Sequence, residues 1–261
     1  MNHTSTATLA AQNDSGERSP RQPLGTPRFW LAAAALANRE VTRFVRQPNR
    51  VMGAIGQPLL FWLFFGAGFH ESLQIPGGGE QNYLEYYFPG TLVLILLFTA
   101  IFTTISVIED RREGFMQAVL VSPTRPVAMV LGKLTGATVI AVAQGILFLL
   151  LTLTLGLTPP WWAWLAVIGL MILTAYALTG LGFLIAWRMD SVQGFHAIMS
   201  LFLLPLWMLS GAFFPNPAPW LAAITSANPL TYSVAGIRRL LYTDTTAALP
   251  ANLPSLALCV G

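Results

Sequence analysis

The stretch LTGATVIAVAQGILFLLLTLTLGLTPPWWAWLAVIGLMILTAYALTGLGFLIAW, residues 134–187, decides the fold because it contains no Asp, Glu, Lys or Arg. A helix of about 20 apolar residues crosses the ~30 Å hydrocarbon core of a bilayer. The run is interrupted by Pro159-Pro160 and Trp161-Trp162, residues typical of a turn at a membrane surface. It therefore predicts two membrane-spanning helices, about residues 134–156 and 163–187, joined by a tight turn.

The composition of the whole chain supports this interpretation. Of its 261 residues, 54% are hydrophobic and 10% are charged, and its mean hydropathy is +0.61. Soluble domains carry about 25% charged residues. A water-soluble fold of this size would lack the charges to cover its surface, so the composition excludes an ordinary soluble protein.

Further charge-free runs predict further spans. They lie at about residues 51–70, 88–108 and 193–212, and the start of another lies at 253–261. Each run is continuously apolar instead of alternating, which favours helices over a β-barrel. About nine residues are too few to span, so we expect the natural chain to continue beyond Gly261. The fold class is thus an all-α integral membrane protein with five full spans and part of a sixth.

Basic residues indicate the orientation. Of the 14 Lys and Arg residues, 12 fall on one side of the predicted spans and seven precede the first one. Cytoplasmic loops carry the excess of Lys and Arg. The N-terminus is therefore expected in the cytoplasm and the protein in the inner (plasma) membrane, without nucleic acid as a partner. Arg238 and Arg239 are the exceptions to this count.

The N-terminal region divides into two parts. Residues 1–28 are polar and are expected to form a disordered cytoplasmic tail. Residues 29–46 predict an amphipathic helix with a basic face (Arg39, Arg43, Arg46 and Arg50) and an apolar face (Ala34, Ala37, Val41 and Phe44). This division is typical of a helix lying on the membrane surface, in contact with lipid.

The segment EDRREGFMQAVLVSP, residues 109–123, carries the densest charge in the chain. Five charged residues leave the second predicted span, a short amphipathic helix follows, and Ser122-Pro123 ends it. Phe115 and Val119 lie four residues apart and form an apolar patch. Such a helix suits docking into a partner's groove, although the residues alone equally allow a solvated loop.

Here the sequence resembles the ABC-2 family of transport permeases, whose members include drug-resistance, nodulation-factor and polysaccharide exporters. Residues 109–123 resemble the family's cytoplasmic signature, and Tyr87-Phe88-Pro89-Gly90 resembles the start of its second span. Leu209–Pro215 resembles the end of its fifth span. Asn228-Pro229-Leu230-Thr231-Tyr232, followed by Arg238, resembles its outer motif. The resemblance covers about residues 29–261.

The resemblance implies a six-helix transmembrane domain of the type V exporter kind, with a cytoplasmic interfacial helix. Two permease copies would pair with two ATPase subunits, and a hydrophobic drug, a lipid or a lipid-linked glycan would pass between the copies along spans two and five. Residues 109–125 would form the loop that couples to the ATPase, with these residues at the contact: Glu109, Arg112, Glu113, Gly114, Phe115 and Val119.

The outer segment of residues 215–239 allows two interpretations. Residues 220–237 carry no charge and resemble one more span, but Asn228-Pro229 in the middle disfavours a continuous helix. The resemblance implies instead a re-entrant hairpin at the outer face. Its motif residues would be Asn228, Pro229, Tyr232 and Arg238.

Two other function classes fit the sequence less well. An ion-gradient-driven secondary transporter usually keeps Asp, Glu or His inside the membrane, whereas no Asp or Glu lies inside a predicted span and His196 of the fifth span is a lone histidine. A membrane enzyme needs clustered reactive groups, but His3, His70 and His196 are scattered. No phosphate-binding GxxxxGK[ST] loop is present, so we expect no cofactor in this chain and place ATP and Mg²⁺ on the partner ATPase.

Overall fold

The computed structural model describes residues 26–68, 83–121, 125–155, 159–213 and 222–242. Residues 1–25 of the predicted tail 1–28, the segment 214–221 and the final apolar run at 253–261 lie outside the described residues, whereas residues 26–28 of that tail belong to the first helix. The described elements are helices, in this order: α1 Thr26–Val45, α2 Pro48–Gly68, α3 Tyr83–Arg112, α4 Phe115–Val121, α5 Pro126–Leu149, α6 Trp161–Trp187, α7 Val192–Trp207, α8 Ala222–Ala227 and α9 Pro229–Leu241. A 3₁₀ turn, Leu150–Leu153, extends α5, and a π-turn, Met208–Ala212, extends α7.

Four helical segments within the described ranges are long and apolar enough to cross a membrane. They are Tyr83–Arg112, Pro126–Leu153, Trp161–Trp187 and Val192–Ala212. The multi-pass membrane architecture is therefore confirmed. Helix α2, of 21 residues, lies at the predicted first span but is not among these four. The total of six spans stays a prediction.

Helix α3 is the centre of the bundle. It packs against α2, α5, α6, α7 and α9, and from Tyr86 to Ile108 every residue except Phe102 is buried. A helix that is apolar on all sides belongs in the interior of a bundle. The side chains pack closely there, for example in the stacked pair Phe88 and Phe148, whose ring centroids are 4.6 Å apart.

The two ends of this bundle differ in chemistry. We call the end where α3 finishes, at Arg112, the basic end, and the end where α3 begins the tyrosine end, because Tyr83, Tyr86 and Tyr87 are buried there. The 30 residues of α3 correspond to about 45 Å at 1.5 Å per residue, so the two ends are far apart.

Helix α1 packs on α5 through a small-residue contact. A Cβ atom at Gly132 would lie 2.7 Å from the Ala33 carbonyl oxygen, and one at Gly136 would lie 2.8 Å from that of Ala37. Only glycine allows such an approach of two helix backbones. The GxxxG spacing of Gly132 and Gly136 therefore marks a real helix crossing.

The faces of α1 differ from the expected division. Phe44, expected on the lipid-facing side, is buried, whereas Trp30 and Leu31 are exposed. Arg39 and Arg43, expected on the solvent face, turn toward carboxylates of α3. The reason is that ion pairing with another helix, which a helical-wheel argument leaves out, decides which face is covered.

Helix α3 also extends further than expected at both ends. It begins at Tyr83 and continues through Arg112, so the charged residues 109–112 form its last turn instead of a loop. Glu109 and Asp110 pair with cations of other helices and Arg111 pairs with Asp190, and these contacts hold the last turn in helical form. The chain turns at Gly114, whose φ of 75° is a left-handed conformation that favours glycine.

Helices α8 and α9 are the described part of the predicted outer segment. Asn228 caps α9 by accepting a hydrogen bond from the Leu230 N–H at 3.0 Å, and Pro229 occupies the first turn, as is usual at helix starts. The Thr174 hydroxyl lies 2.9 Å from that of Ser233, so α9 reaches the middle of α6.

The Gly136 contact generates the first prediction. Replacing Gly136 with Ala forces α1 away from α5 and should destabilise the protein by about 1–3 kcal/mol, as overpacking does. Gly180→Ala is the matched control, because no atom lies within 4 Å of a Cβ atom at Gly180. The measurement is Tm in detergent. Equal Tm values for the two variants would contradict the close crossing.

Candidate functional site

A group of eight charged side chains lies at the basic end. We call it the charge cluster, and it joins α1, α2, α3, α5 and the turn after α3. It contains four cations and four carboxylates, so its formal charges cancel. Its members are Arg39, Glu40, Arg43, Arg50, Glu109, Asp110, Glu113 and Lys133.

Lys133 forms the buried centre of the charge cluster. Its Nζ lies 2.5 Å from Asp110 Oδ2 and 2.7 Å from Glu40 Oε1, and it donates to Ser106 Oγ at 3.2 Å. An ammonium group has three donors, and all three are used. The Lys133 side chain is 4% exposed and that of Asp110 is 0% exposed, so this pair is shielded from solvent.

The Asp110 carboxylate, like the Lys133 ammonium group, has its hydrogen-bonding positions filled. Arg39 donates to both of its oxygens, at 3.0 and 3.2 Å, and Arg43 Nη1 donates to Oδ1 at 2.6 Å. With Lys133 this fills the roughly four acceptor positions of a carboxylate. The Asp110 carboxylate in turn raises the pKa of Arg39 above its ordinary value.

The remaining pairs extend the cluster toward solvent. Arg43 Nη2 lies 2.9 Å from Glu109 Oε2 and 3.7 Å from Glu113 Oε1, and Arg50 of α2 also pairs with Glu109. Buried ion pairs are costly to break, at about 3–5 kcal/mol when one partner is removed. The charge cluster therefore fixes α1 against the ends of α2, α3 and α5.

Helix α4 joins the charge cluster through an aromatic ring. The Arg39 guanidinium carbon lies 3.8 Å from the ring centroid of Phe115, a cation–π distance. Met116 is buried, and Val119 packs partly buried against the chain's own core. Among the α4 side chains that the structure describes, the exposed ones are instead Gln117, Ala118 and Val121.

Because of these contacts, the exposed residues at the basic end differ from those predicted to meet a partner. Phe115 and Val119 were expected to face a partner, but they contact Arg39 and the core. Arg112 and Glu113 are exposed, and Glu109 is mostly covered by Arg43 and Arg50. Within the described part of residues 109–125, the surface open to a partner thus includes Arg112, Glu113 and the exposed face of α4.

The second predicted group, the outer motif, lies at the tyrosine end. Arg238 is 2% exposed, and its Nη2 donates to the carbonyls of Tyr86 at 3.2 Å and Gly211 at 3.1 Å. Tyr232 donates to the Ser226 carbonyl at 2.7 Å, and Asn228 donates to that of Leu206 at 2.6 Å. The structure does not bring this group near the charge cluster.

Three cluster residues were missed from the sequence, namely Glu40, Asp110 as a buried group, and Lys133. The available signal was the position of Lys133 inside the GxxxG motif and the spacing of Arg39 and Arg43, four residues apart on one helix face. Within the described ranges, no group of three or more His, Cys, Asp or Glu side chains could hold a metal ion.

A double-mutant cycle tests the cluster. Lys133→Gln should destabilise the protein by about 3–5 kcal/mol, because it removes the cation from between the buried carboxylates Asp110 and Glu40. Glu40→Gln should cost less, because Lys133 keeps Asp110 as a partner. The double variant should lose less than the sum, by about 0.5–3 kcal/mol. The measurement is thermal unfolding in detergent.

The matched control for this cycle is the exposed pair of Arg111 and Asp190. Asp190 is 92% exposed, so Arg111→Gln and Asp190→Asn should couple by no more than about 1 kcal/mol. Strict additivity for Glu40 and Lys133 would refute the role given to the buried pair.

Comparisons with known proteins agree with this architecture. The model of the family described as ABC-2 type transporter matches residues 32–242. The transport permease ycf38 of Cyanophora paradoxa is 27% identical over 226 residues, covering 85% of this chain and 78% of its own.

Two bacterial relatives are similar over most of their length. The daunorubicin resistance ABC transporter permease protein DrrB1 of Streptomyces coeruleorubidus is 26% identical over 78% of this chain and 72% of its own. Nodulation protein J of Rhizobium leguminosarum bv. trifolii is 27% identical over 73% of each. The resemblance found in the sequence is confirmed, and the chain belongs to the ABC-2 type transporter family.

Proposed function

We propose that this chain is the membrane-spanning permease of an ATP-driven exporter, in which two copies pair with each other and with two ATPase subunits. The observation that carries the proposal is α4, a short helix held at the basic end with one face exposed. A helix presented in this way suits a groove in a partner protein. ATP and Mg²⁺ would bind to the partner, where hydrolysis would take place.

The charge cluster gives α4 a rigid base. Phe115 of α4 packs on Arg39, and Arg39 is tied to Asp110 of α3. Asp110 continues to Lys133 of α5. A force applied to α4 by an ATPase would therefore reach α1, α3 and α5 together, instead of bending a loose loop.

We further propose that the basic end faces the cytoplasm of the cell and that the membrane is the inner (plasma) membrane. The support is the Lys and Arg bias of the loops at this end. An ATPase partner would have to lie on the same side, since ATP is supplied there. The N-terminus would then be cytoplasmic and α1 would lie at the membrane surface.

The substrate would be hydrophobic or amphiphilic. The described spans expose many large apolar side chains, such as Leu184 and Leu201, each 69% exposed, and carry few charges. Such surfaces suit a drug, a lipid or a lipid-linked glycan better than a small ion. Two relatives are named for daunorubicin resistance and for nodulation, and the first of these names supports a drug-like molecule.

A gradient-driven secondary transporter is the alternative, and one observation favours it. Asp110 and Glu40 are buried carboxylates, the kind of residue that relays protons in transporters. Against this, Lys133, Arg39 and Arg43 neutralise them. A relay carboxylate needs access to the transport path, whereas Asp110 and Glu40 are each held in ion pairs with neighbouring cations.

The ATPase contact generates a prediction. Val121 is 87% exposed on α4, so Val121→Glu should leave Tm unchanged while weakening capture of an ATPase from cross-linked native membranes about tenfold or more, which corresponds to about 1.4 kcal/mol. Glu113→Arg should act in the same direction by reversing an exposed charge.

The matched control is Val127→Glu, which places the same charge at a 58% exposed position at the start of α5. It should capture the ATPase as the unmodified protein does. Absence of any ATPase with the unmodified protein would contradict the proposed function. Equal loss in Val121→Glu and Val127→Glu would contradict the role of α4.

A further inference from the structure

A small polar cavity lies within the charge cluster, between α1, α2 and α3. Its volume, about 10 Å³ open to the centre of a water molecule, is enough for one water. Two guanidinium groups, a carboxylate, two hydroxyls and an aromatic ring line it. They belong to Glu40, Arg43, Phe44, Arg50, Thr103 and Ser106. The cavity therefore suits one small bound species, and the chemistry of the lining decides which one.

Helix α3 supplies the two hydroxyls from a single face. Thr103 and Ser106 lie three residues apart and Asp110 follows four residues later, so all three share one side of the helix. Thr103 Oγ1 donates to the Thr99 carbonyl at 2.7 Å, which leaves its lone pairs open. Ser106 Oγ accepts from Lys133 at 3.2 Å, which leaves its own proton open. This face thus offers the cavity an acceptor and a donor.

The charged side chains of the lining also have unused positions. Glu40 receives Lys133 and Arg39 on the same oxygen, Oε1. Among the residues that the structure describes, no donor reaches Glu40 Oε2. Arg50 contacts Glu109 through Nη2, and its Nε and Nη1 groups have no acceptor within the same ranges. The charged part of the lining therefore also offers both an acceptor and donors.

This mixed lining favours water over an ion. A halide needs donors on all sides, and the Glu40 carboxylate would repel it. A metal cation needs oxygen ligands, and the guanidinium groups of Arg43 and Arg50 would repel it. Water both donates and accepts, and buried waters typically make about three hydrogen bonds to groups that lack other partners.

We propose that the cavity binds one ordered water molecule, which donates to Glu40 Oε2 and Thr103 Oγ1 and accepts from Ser106 and Arg50. The water joins α1, α2 and α3 about one helical turn further into the bundle than Glu109 does. It completes the hydrogen bonding of the charge cluster, and its binding depends on neither an ATPase nor a transported substrate.

The test is radiolytic hydroxyl footprinting of the full chain in detergent, followed by mass spectrometry. X-rays convert a bound water into hydroxyl radicals, which oxidise the side chains around it. Phe44 lines the cavity and is only 4% exposed, so a bound water should oxidise it where bulk solvent should not. Phe148 is the reference, because it is 3% exposed and lies outside the cavity lining. We expect Phe44 to be oxidised severalfold faster than Phe148.

Two variants fill the cavity with carbon and should displace the water. Thr103→Ile and Ser106→Val each remove a hydroxyl and add one heavy atom, so Phe44 oxidation should fall to the Phe148 rate. Thr103→Ile stays informative if Ser106→Val does not fold, since the Thr103 hydroxyl bonds only to its own helix. The matched control is Thr138→Ile, because Thr138 is equally buried and bonds to its own helix outside the cavity. It should leave Phe44 oxidation unchanged.

Oxidation of Phe44 at the Phe148 rate in the unmodified protein would overturn the proposal. So would fast Phe44 oxidation that persists in Thr103→Ile. A bound halide is tested by measuring Tm in chloride and in gluconate at equal ionic strength, and we expect the same Tm in both. A higher Tm in chloride that Thr103→Ile abolishes would overturn the proposal and assign the cavity to a halide.

Discussion

Lys133 and Asp110 meet at 2.5 Å in a place where an unpaired charge would be very costly, and the arrangement of the basic end follows from that. Asp110 sets the last turn of α3, and Lys133 sets the start of α5. Glu40 pairs with Lys133 and so holds α1 against the glycines of α5, while Arg39 packs on the Phe115 ring of α4. Charges that cancel within the group allow a dense ionic cluster in a chain that has few charges elsewhere. The cluster also ties α4 to the bundle through Arg39 and Phe115.

At the tyrosine end, the protein supplies hydrogen-bond donors to backbone carbonyls that have lost their helical partners. Hydrocarbon offers no hydrogen-bond partners, so each carbonyl that a helix break frees needs a donor from the protein. Pro89 leaves the Glu85 carbonyl without its helical donor, and Tyr242 donates to it at 2.6 Å. The Gly211 carbonyl receives Tyr86 and Arg238. Arg238, which looks misplaced by loop-charge counting, therefore serves the backbone of α3 and α7.

The membrane spans could be predicted from the sequence, because a charge-free run of about 20 apolar residues rarely forms anything but a membrane helix. The short helix after the charged residues 109–113 was predicted from its charged and apolar pattern. Asn228-Pro229 was expected only to interrupt a span, and the structure shows that it also starts α9. The charge cluster was not, since pairing Glu40 with Lys133 joins residues 93 positions apart. The expected assignment of Arg39 and Arg43 to a solvent-facing side of α1 was wrong for the same reason, because both pair with Asp110 of α3. Phe115 contacts Arg39 of α1 instead of a partner protein. A contact between two separate helices leaves no periodic pattern in the sequence, so it could not be predicted.

The central claim, that ATP hydrolysis in a partner drives export through this chain, is most directly tested in inside-out membrane vesicles. Uptake of a fluorescent amphiphile would be followed with ATP present and with ionophores that collapse ion gradients. We predict uptake that requires ATP, persists with ionophores and is lost in the Val121→Glu variant. Uptake that ignores ATP and stops with ionophores would contradict the claim. It would instead assign the buried carboxylates Asp110 and Glu40 to gradient-driven transport.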